Sequence, residues 1–158
     1  MDVDTWLREH GFDPRGDLTK AIPSIRPNSD DGERTTAMFE ASYAGKLHVC
    51  KWLFEHGAAT TISTPDNYGW RPMHGACNQG HLEVAEWLFG SGACEDVVAK
   101  TSLSNDEGST PLHHACGGGH LAVARWLSKR APSSIGTVDR FSMTPLERAV
   151  ELGRLPVV

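Results

Sequence analysis

Two His-x-x-Cys pairs, His74 with Cys77 and His113 with Cys116, are the residues of this chain whose types and spacing could do chemistry. Together they supply two nitrogens and two sulfurs, the donor set of a tetrahedral zinc site and hence of a metal-dependent enzyme. The second pair lies in TPLHHACGGGH (110–120), whose glycine run also has the composition of a phosphate loop. Such a loop needs a preceding strand, glycines spaced so that N–H groups converge on a helix N-terminus, and usually a lysine. Neither a strand pattern nor a lysine accompanies GGGH. The serines at 102, 104, 109, 133 and 134 have no strand–turn–helix setting for a nucleophile. The acidic pairs Glu95 with Asp96 and Asp106 with Glu107 fall in turn-rich segments. Solvated charges are expected there, because acid–base work needs a burial that shifts a pKa.

Whether the two His-Cys pairs can meet depends on the elements that carry them, and those elements repeat. RPMHGACNQGHLEVAEWLFGSGA (71–93) aligns with TPLHHACGGGHLAVARWLSKRA (110–131) at a shift of 39. An earlier copy, TTAMFEASYAGKLHVCKWLFEHGA (35–58), aligns at a shift of 35 and keeps Ala41, Gly45, Leu47, Val49, Trp52 and Leu53. A later one, TPLERAVELGRLPVV (144–158), aligns at 34, with Glu147 at the histidine position. Self-similarity at a fixed period is the mark of a stacked array, in which each unit buries its apolar face on its neighbours.

Each unit reads as two short helices. Thr110 serves as N-cap and Pro111 fits the first turn, where its missing N–H costs nothing. The first helix then runs from about Pro111 to Gly117, Gly119 and His120 break it, and Leu121, Ala124, Trp126 and Leu127 give the spacing of a second helix. STPDNYG, SLSNDEG and GTVDRFS are the turn-rich connections between units. Trp52, Trp87 and Trp126 recur at one position of the second helix and are expected to be inter-unit core, with Trp87 coupling units two and three. WLREHGFD (6–13) echoes WLFEHGAA (52–59), which predicts a lone capping helix within an N-terminal segment 1–33. Pro14, Pro23 and Pro27 mark 14–30 as an irregular connection.

These motifs resemble ankyrin repeats, whose unit is a β-turn finger followed by two antiparallel helices with a T-P-L-H-x-A signature. The resemblance implies an all-α repeat solenoid over 34–158, three full units and a truncated fourth, at about 31–65, 66–104, 105–138 and 139–158. Departures are Ala37 for the proline, Phe39 and Glu147 for the histidine, Arg71 for the threonine, and Arg34 and Ser142 for the turn glycine. The long second spacing predicts that Cys94 to Asn105 bulges outward. In this family the signature histidine ties its own turn to neighbouring loops, and Cys77 and Cys116 replace a small buried alanine. Equivalent atoms of stacked units stand roughly 10 Å apart, whereas ligands of one zinc lie within about 4 Å of each other. No metal, cofactor or catalytic residue is therefore expected.

The resemblance also implies a concave face that meets protein partners. On the fingers it consists of Asn67, Tyr68, Trp70, Asp106, Glu107, Ser109, Arg140, Phe141 and Met143. On the first helices it consists of Tyr43, Ala44, Asn78, Gln79, Gly117 and Gly118. Aromatic residues and arginine dominate binding hot spots, and the two acids between the aromatic and Arg140 fingers favour a partner with a basic centre. Gly117 and Gly118 leave that face bare, which predicts a recess between the Trp70 and Phe141 fingers.

The bulk properties agree with a binding role inside the cell. Net charge is −5, and residues 1–33 carry eight acidic against four basic side chains. No basic stripe exists to neutralise phosphates, so nucleic acid is not an expected partner. No apolar run is long enough to span a bilayer, and the start has no secretory layout. Four cysteines without a C-x-x-C pair are expected to be reduced, in the cytoplasm or nucleus. The leading expectation is a non-catalytic protein-binding scaffold. The alternative is a regulatory or targeting module cut from a longer protein, because LGRLPVV stops where a second helix starts. Leu146, Leu155, Val157 and Val158 form an apolar edge there through which self-association is also expected.

Overall fold

Capping chemistry sets where the helices begin. In the computed structural model, which describes residues 1–23, 34–102 and 107–154, helix α1 (Val3–Glu9) starts where Asp2 accepts the Thr5 N–H at 3.0 Å. Strands β1 (Ile22–Pro23) and β2 (Arg34–Thr35) pair antiparallel, with Ile22 opposite Thr35. Helix α2 (Ala37–Tyr43) is capped by Thr36, and α3 (Leu47–Leu53) follows after one tight turn. Helices α4 (Pro72–Asn78) and α5 (Leu82–Gly90) form the second pair, α6 (Pro111–Gly118) and α7 (Leu121–Arg130) the third, and α8 (Pro145–Glu151) opens the fourth unit. Proline stands at the first helical position of α4, α6 and α8.

The helices stack in two rows. First helices pack in the order α2, α4, α6, α8, and second helices in the order α3, α5, α7. One continuous apolar core runs through the stack from Trp6 and Leu7 of α1 to Ala149 of α8. Ala41, Ala76, Ala115 and Ala149 hold the same position of successive first helices and are all fully buried. A small side chain there lets neighbouring helices approach closely, which is why that alanine recurs in every unit.

The echo between the N-terminus and unit one is structural as well as sequential. Trp6 stacks on His10 with ring centroids 3.9 Å apart, and Trp52 stacks on His56 at 4.1 Å. In each case the histidine Nδ1 sits 2.8 Å from the tryptophan carbonyl. Helix α1 therefore ends as α3 does.

Two of the recurring tryptophans meet an aromatic ring of a neighbouring unit. Trp87 meets Phe54 of unit one edge-on at 5.8 Å, and Trp126 meets Phe89 of unit two at 5.7 Å. Each ring thus reaches back to the preceding unit, and Trp87 joins unit two to unit one. Edge-to-face pairs of this kind add about 0.5–1.5 kcal/mol beyond area burial.

In the long connection after unit two, Cys94–Val98 winds into a short 3-10 helix that buries Asp96 and Val97. Asp96 lies 3.1 Å from the Arg71 guanidinium, which also donates to the Ser63 carbonyl. The expected solvated pair Glu95 with Asp96 is therefore split, Glu95 exposed and Asp96 buried. Burial raises the Asp96 pKa against the opposing pull of Ser63 and Arg71. Residues 103–105 of the same connection lie outside the described residues.

Candidate functional site

The signature histidines are committed to architecture. His113 Nδ1 accepts the Thr110 backbone N–H at 3.1 Å, so the proton of the neutral ring sits on Nε2, which donates to the Met143 carbonyl at 3.1 Å. His74 repeats this arrangement with the Arg71 N–H at 3.1 Å and the Ala99 carbonyl at 3.0 Å. Each histidine closes its own helix start and anchors the connection to the next unit, and neither ring nitrogen is left to bind a metal. Burial pushes the Cys116 and Cys50 thiols up to about 11 and raises Cys77 further, so none is a thiolate near neutral pH. Among the described residues, no group of three or more His, Cys, Asp and Glu is placed to hold a metal ion.

A second recurring position, just after the turn glycine, makes inter-unit contacts that the repeat alone does not announce. His120 Nε2 lies 2.9 Å from the Asn78 carbonyl, and Arg154 Nε donates to the Gly117 carbonyl at 3.0 Å. His81 makes the matching contact with Tyr43. Residues 81, 120 and 154 share one alignment column, and residues 43, 78 and 117 share another, so each unit reaches up to the helix end above it. Gly80 makes the approach possible: it has φ +77°, and a Cβ there would stand 2.5 Å from the His120 ring. The recurrence of G-H, G-H and G-R at shifts of 39 and 34 was the available signal.

The fingers are organised by aspartate. Asp66 Oδ1 accepts the N–H groups of Tyr68 at 2.8 Å and Trp70 at 2.9 Å. Asp139 Oδ1 does the same for Phe141 at 2.8 Å and Met143 at 3.1 Å. Adjacent fingers are then tied by backbone bonds, Ser102 N–H to the Tyr68 carbonyl at 2.9 Å and Arg140 N–H to the Glu107 carbonyl at 2.8 Å. The turn position holds glycine with positive φ at Gly69 and Gly108, but Ser142 adopts φ 60° without that freedom.

On this frame the expected face residues are distributed unevenly. Asn67, Gln79, Glu107, Arg140 and Phe141 are exposed; Tyr43, Ala44, Tyr68, Trp70, Asn78, Gly117, Gly118 and Met143 are half-buried. Asn67 accepts the Arg34 N–H at 3.0 Å. Trp70 lies down on His114, ring centroids 4.2 Å apart, so only part of its ring is presented. Phe141 is flanked by the guanidinium groups of Arg140 at 5.3 Å and Arg148 at 5.4 Å. Ser109 is a correction. It is 1% exposed, because its N–H and carbonyl both bond Thr101 and close the base of the finger. Asp106 lies outside the described residues.

Beside Gly117 and Gly118 there is a recess of about 250 Å³, lined also by Asn78, His114, Arg148 and Leu152. His114, Arg148 and Leu152 were not anticipated as part of this face. His114 and Arg148 occupy one alignment column, whose other members are Glu40 and Gly75, and this mixture of residue types was the only sequence signal. Burial is the main cause that pushes the His114 pKa down to about 3, with His113 and Arg148 adding repulsion, so the ring is neutral. A Cβ at Gly117 would meet Leu152 and Arg148 at 3.4–3.5 Å, ordinary contact distance, and would narrow the recess.

The described residues contain no helix long and apolar enough to cross a membrane. No curated protein matches the sequence significantly. The family model described as ankyrin repeats (3 copies) matches residues 14–101 and 93–158. Such repeats are in general protein–protein interaction modules and typically non-catalytic. With paired helices stacked in two rows, turn fingers between them and signature histidines closing each unit, the chain belongs to the ankyrin repeat family.

Proposed function

We propose that this chain is a non-catalytic scaffold that holds a partner protein against its concave face, between the Tyr68–Trp70 and Arg140–Met143 fingers. The observation that carries this reading is a half-exposed aromatic, Phe141, on a finger whose backbone is fixed by Asp139 and Glu107 beside a recess. Such an anchor loses little conformational freedom on binding, and preorganised aromatic and arginine side chains supply most of the affinity at protein interfaces. Exposed Gln79, Asn67 and Glu107 add polar contacts around it. Glu107 favours a basic group on the partner beside the aromatic anchor. The four free cysteines fit a reducing compartment, the cytoplasm or nucleus.

Affinity capture from native lysate tests this reading. The triple variant Gln79→Ala, Arg140→Ala, Phe141→Ala changes only exposed side chains. A partner retained by the wild-type chain is expected to be lost roughly tenfold or more. Equal retention by both proteins would contradict the concave-face reading.

A further inference from the structure

At the recess beside Gly117 and Gly118, two arginines of unit four meet the first helix of unit three. A Cβ at Gly117 would stand 3.5 Å from the Arg148 Cγ, and the Gly117 carbonyl accepts the Arg154 Nε–H at 3.0 Å. One residue therefore has an arginine on its Cα side and another on its carbonyl. Tyr43, Asn78 and Glu151 hold the position of Gly117 in the other units, so only unit three lacks a side chain there. Glu40, Gly75 and His114 hold the position of Arg148 in units one to three. A glycine in place of a side chain and an arginine in place of an acidic or neutral residue thus coincide at one interface.

The walls select the sign of what enters. Among the described residues no carboxylate lines the recess. His114 is a neutral ring, and the two His113 nitrogens are engaged by Thr110 and the Met143 carbonyl. Positive charge comes from Arg148 in the wall and from exposed Arg154 at the edge. The half-buried side-chain amide of Asn78 brings a neutral donor from unit two. Arg148 holds buried Asp139 at 2.9 Å through one terminal nitrogen and exposed Glu151 at 3.4 Å through the other. The second contact is the replaceable one, because a long ion pair in water is weak. Arg154 pairs with no carboxylate among the described residues.

We propose that the recess receives an aspartate or glutamate side chain of the partner, its carboxylate held between Arg148 and Arg154 and its stem laid over Gly117 and Gly118. This assignment rests on the concave-face reading and adds a charge rule to it. Pairs of guanidinium and carboxylate are short and directional, so the recess fixes register as well as sign. Its volume of about 250 Å³ has room for one such side chain and not for a helix. Because exposed Glu107 favours a basic group, the bound segment carries opposite charges at the Phe141 finger and at the recess.

N-acetyl-glutamate amide, titrated to about 50 mM into the isotope-labelled full chain at constant ionic strength, tests the assignment by chemical-shift mapping, which reads affinities of about 10 mM. Saturable shifts are expected at 117–119 and 148–154, and the matching N-acetyl-glutamine amide is expected to give none. Gly117→Ala narrows the recess and Arg154→Gln removes a charge, and each is expected to weaken binding roughly threefold. Gly117 has no positive φ and Arg154 is exposed, so neither variant disturbs the stack. Glu151→Gln releases one Arg148 nitrogen and is expected to tighten binding about twofold. Lys129→Gln, which removes the same charge from the exposed side of α7, is expected to leave it unchanged. Equal shifts from both probes would overturn the assignment. So would wild-type affinity in both Gly117→Ala and Arg154→Gln, or an equal loss in Lys129→Gln and Arg154→Gln. Inorganic phosphate shifting the same amides at roughly tenfold lower concentration would overturn it in favour of a phosphate group. A captured partner lost by the triple variant that includes Phe141→Ala, yet retained by Gly117→Ala and Arg154→Gln, would strike the recess alone and leave the concave face standing.

Discussion

Replacing Asp139 by alanine is expected to cost about 3 kcal/mol of stability and to release the fourth unit from the stack. The Asp139 side chain is fully buried, and its Oδ2 lies 2.9 Å from the Arg148 guanidinium, which is itself only 20% exposed. Its other oxygen holds the N–H groups of Phe141 and Met143, and the Met143 carbonyl receives His113 from unit three. Alanine therefore orphans two backbone donors and leaves Arg148 with the exposed Glu151 at 3.4 Å. Removing one partner of a buried pair typically costs about 3–5 kcal/mol, and the lower end applies because Arg148 touches solvent. A loss of that size lowers the melting midpoint by roughly 6–12 °C in a chain of this length. Asp139→Asn keeps an acceptor for the two N–H groups and is expected to cost less. Because array stability is a sum of neighbour terms, amide exchange should speed up in α8 and at 139–143 before it does in α2–α5. A loss below about 1 kcal/mol for Asp139→Ala would contradict this account of the Phe141 finger.

The second large effect is acid sensitivity centred on His114. Its ring is fully enclosed between Trp70, His74 and the recess, and its pKa is pushed down to about 3 from an ordinary value of 6.5. Protonation is resisted in the folded chain and unopposed in the unfolded one. Stability is therefore complete above pH 6.5 and falls as pH drops from 6.5 toward 3. The slope is about 1.4 kcal/mol per pH unit for one proton, which amounts to about 2 kcal/mol between pH 6.5 and pH 5. The groups facing His114 are His74 on α4, neighbouring His113 and Arg148 on α8. Burial also lowers the His113 pKa, so its contribution has the same sign. Denaturant unfolding at pH 7.5 and pH 5 should show the loss in the wild-type chain and a much smaller loss in His114→Leu. Equal losses in the two proteins would show that the slope belongs to other groups.

Much of the fold could be read from alignment of the chain with itself. The stacked helix pairs, the short helix near the N-terminus and the recurring second-helix tryptophans all follow from residues that recur at fixed shifts. The contact of Trp87 with Phe54 of unit one was not legible, because periodicity fixes a position on a helix and not which adjacent unit it leans toward. Asp96 and Ser109 are buried although their types and turn-rich surroundings point outward. Arg71, a departure from the family's threonine, is what makes a buried Asp96 tolerable, and that contact spans 25 residues. The recess beside Gly117 and Gly118 was legible from those two glycines. Its walls of His114, Arg148 and Leu152 were not, because they come together only when the third and fourth units stack.

Amide hydrogen exchange on the wild-type chain, with and without its captured partner, tests the concave-face claim most directly. Slowed exchange is predicted at 66–70, 78–79, 107–108, 117–118 and 139–143, with α5 and the outer side of α3 unchanged. Protection confined to the second helices, with the fingers exchanging as in the free chain, would contradict it.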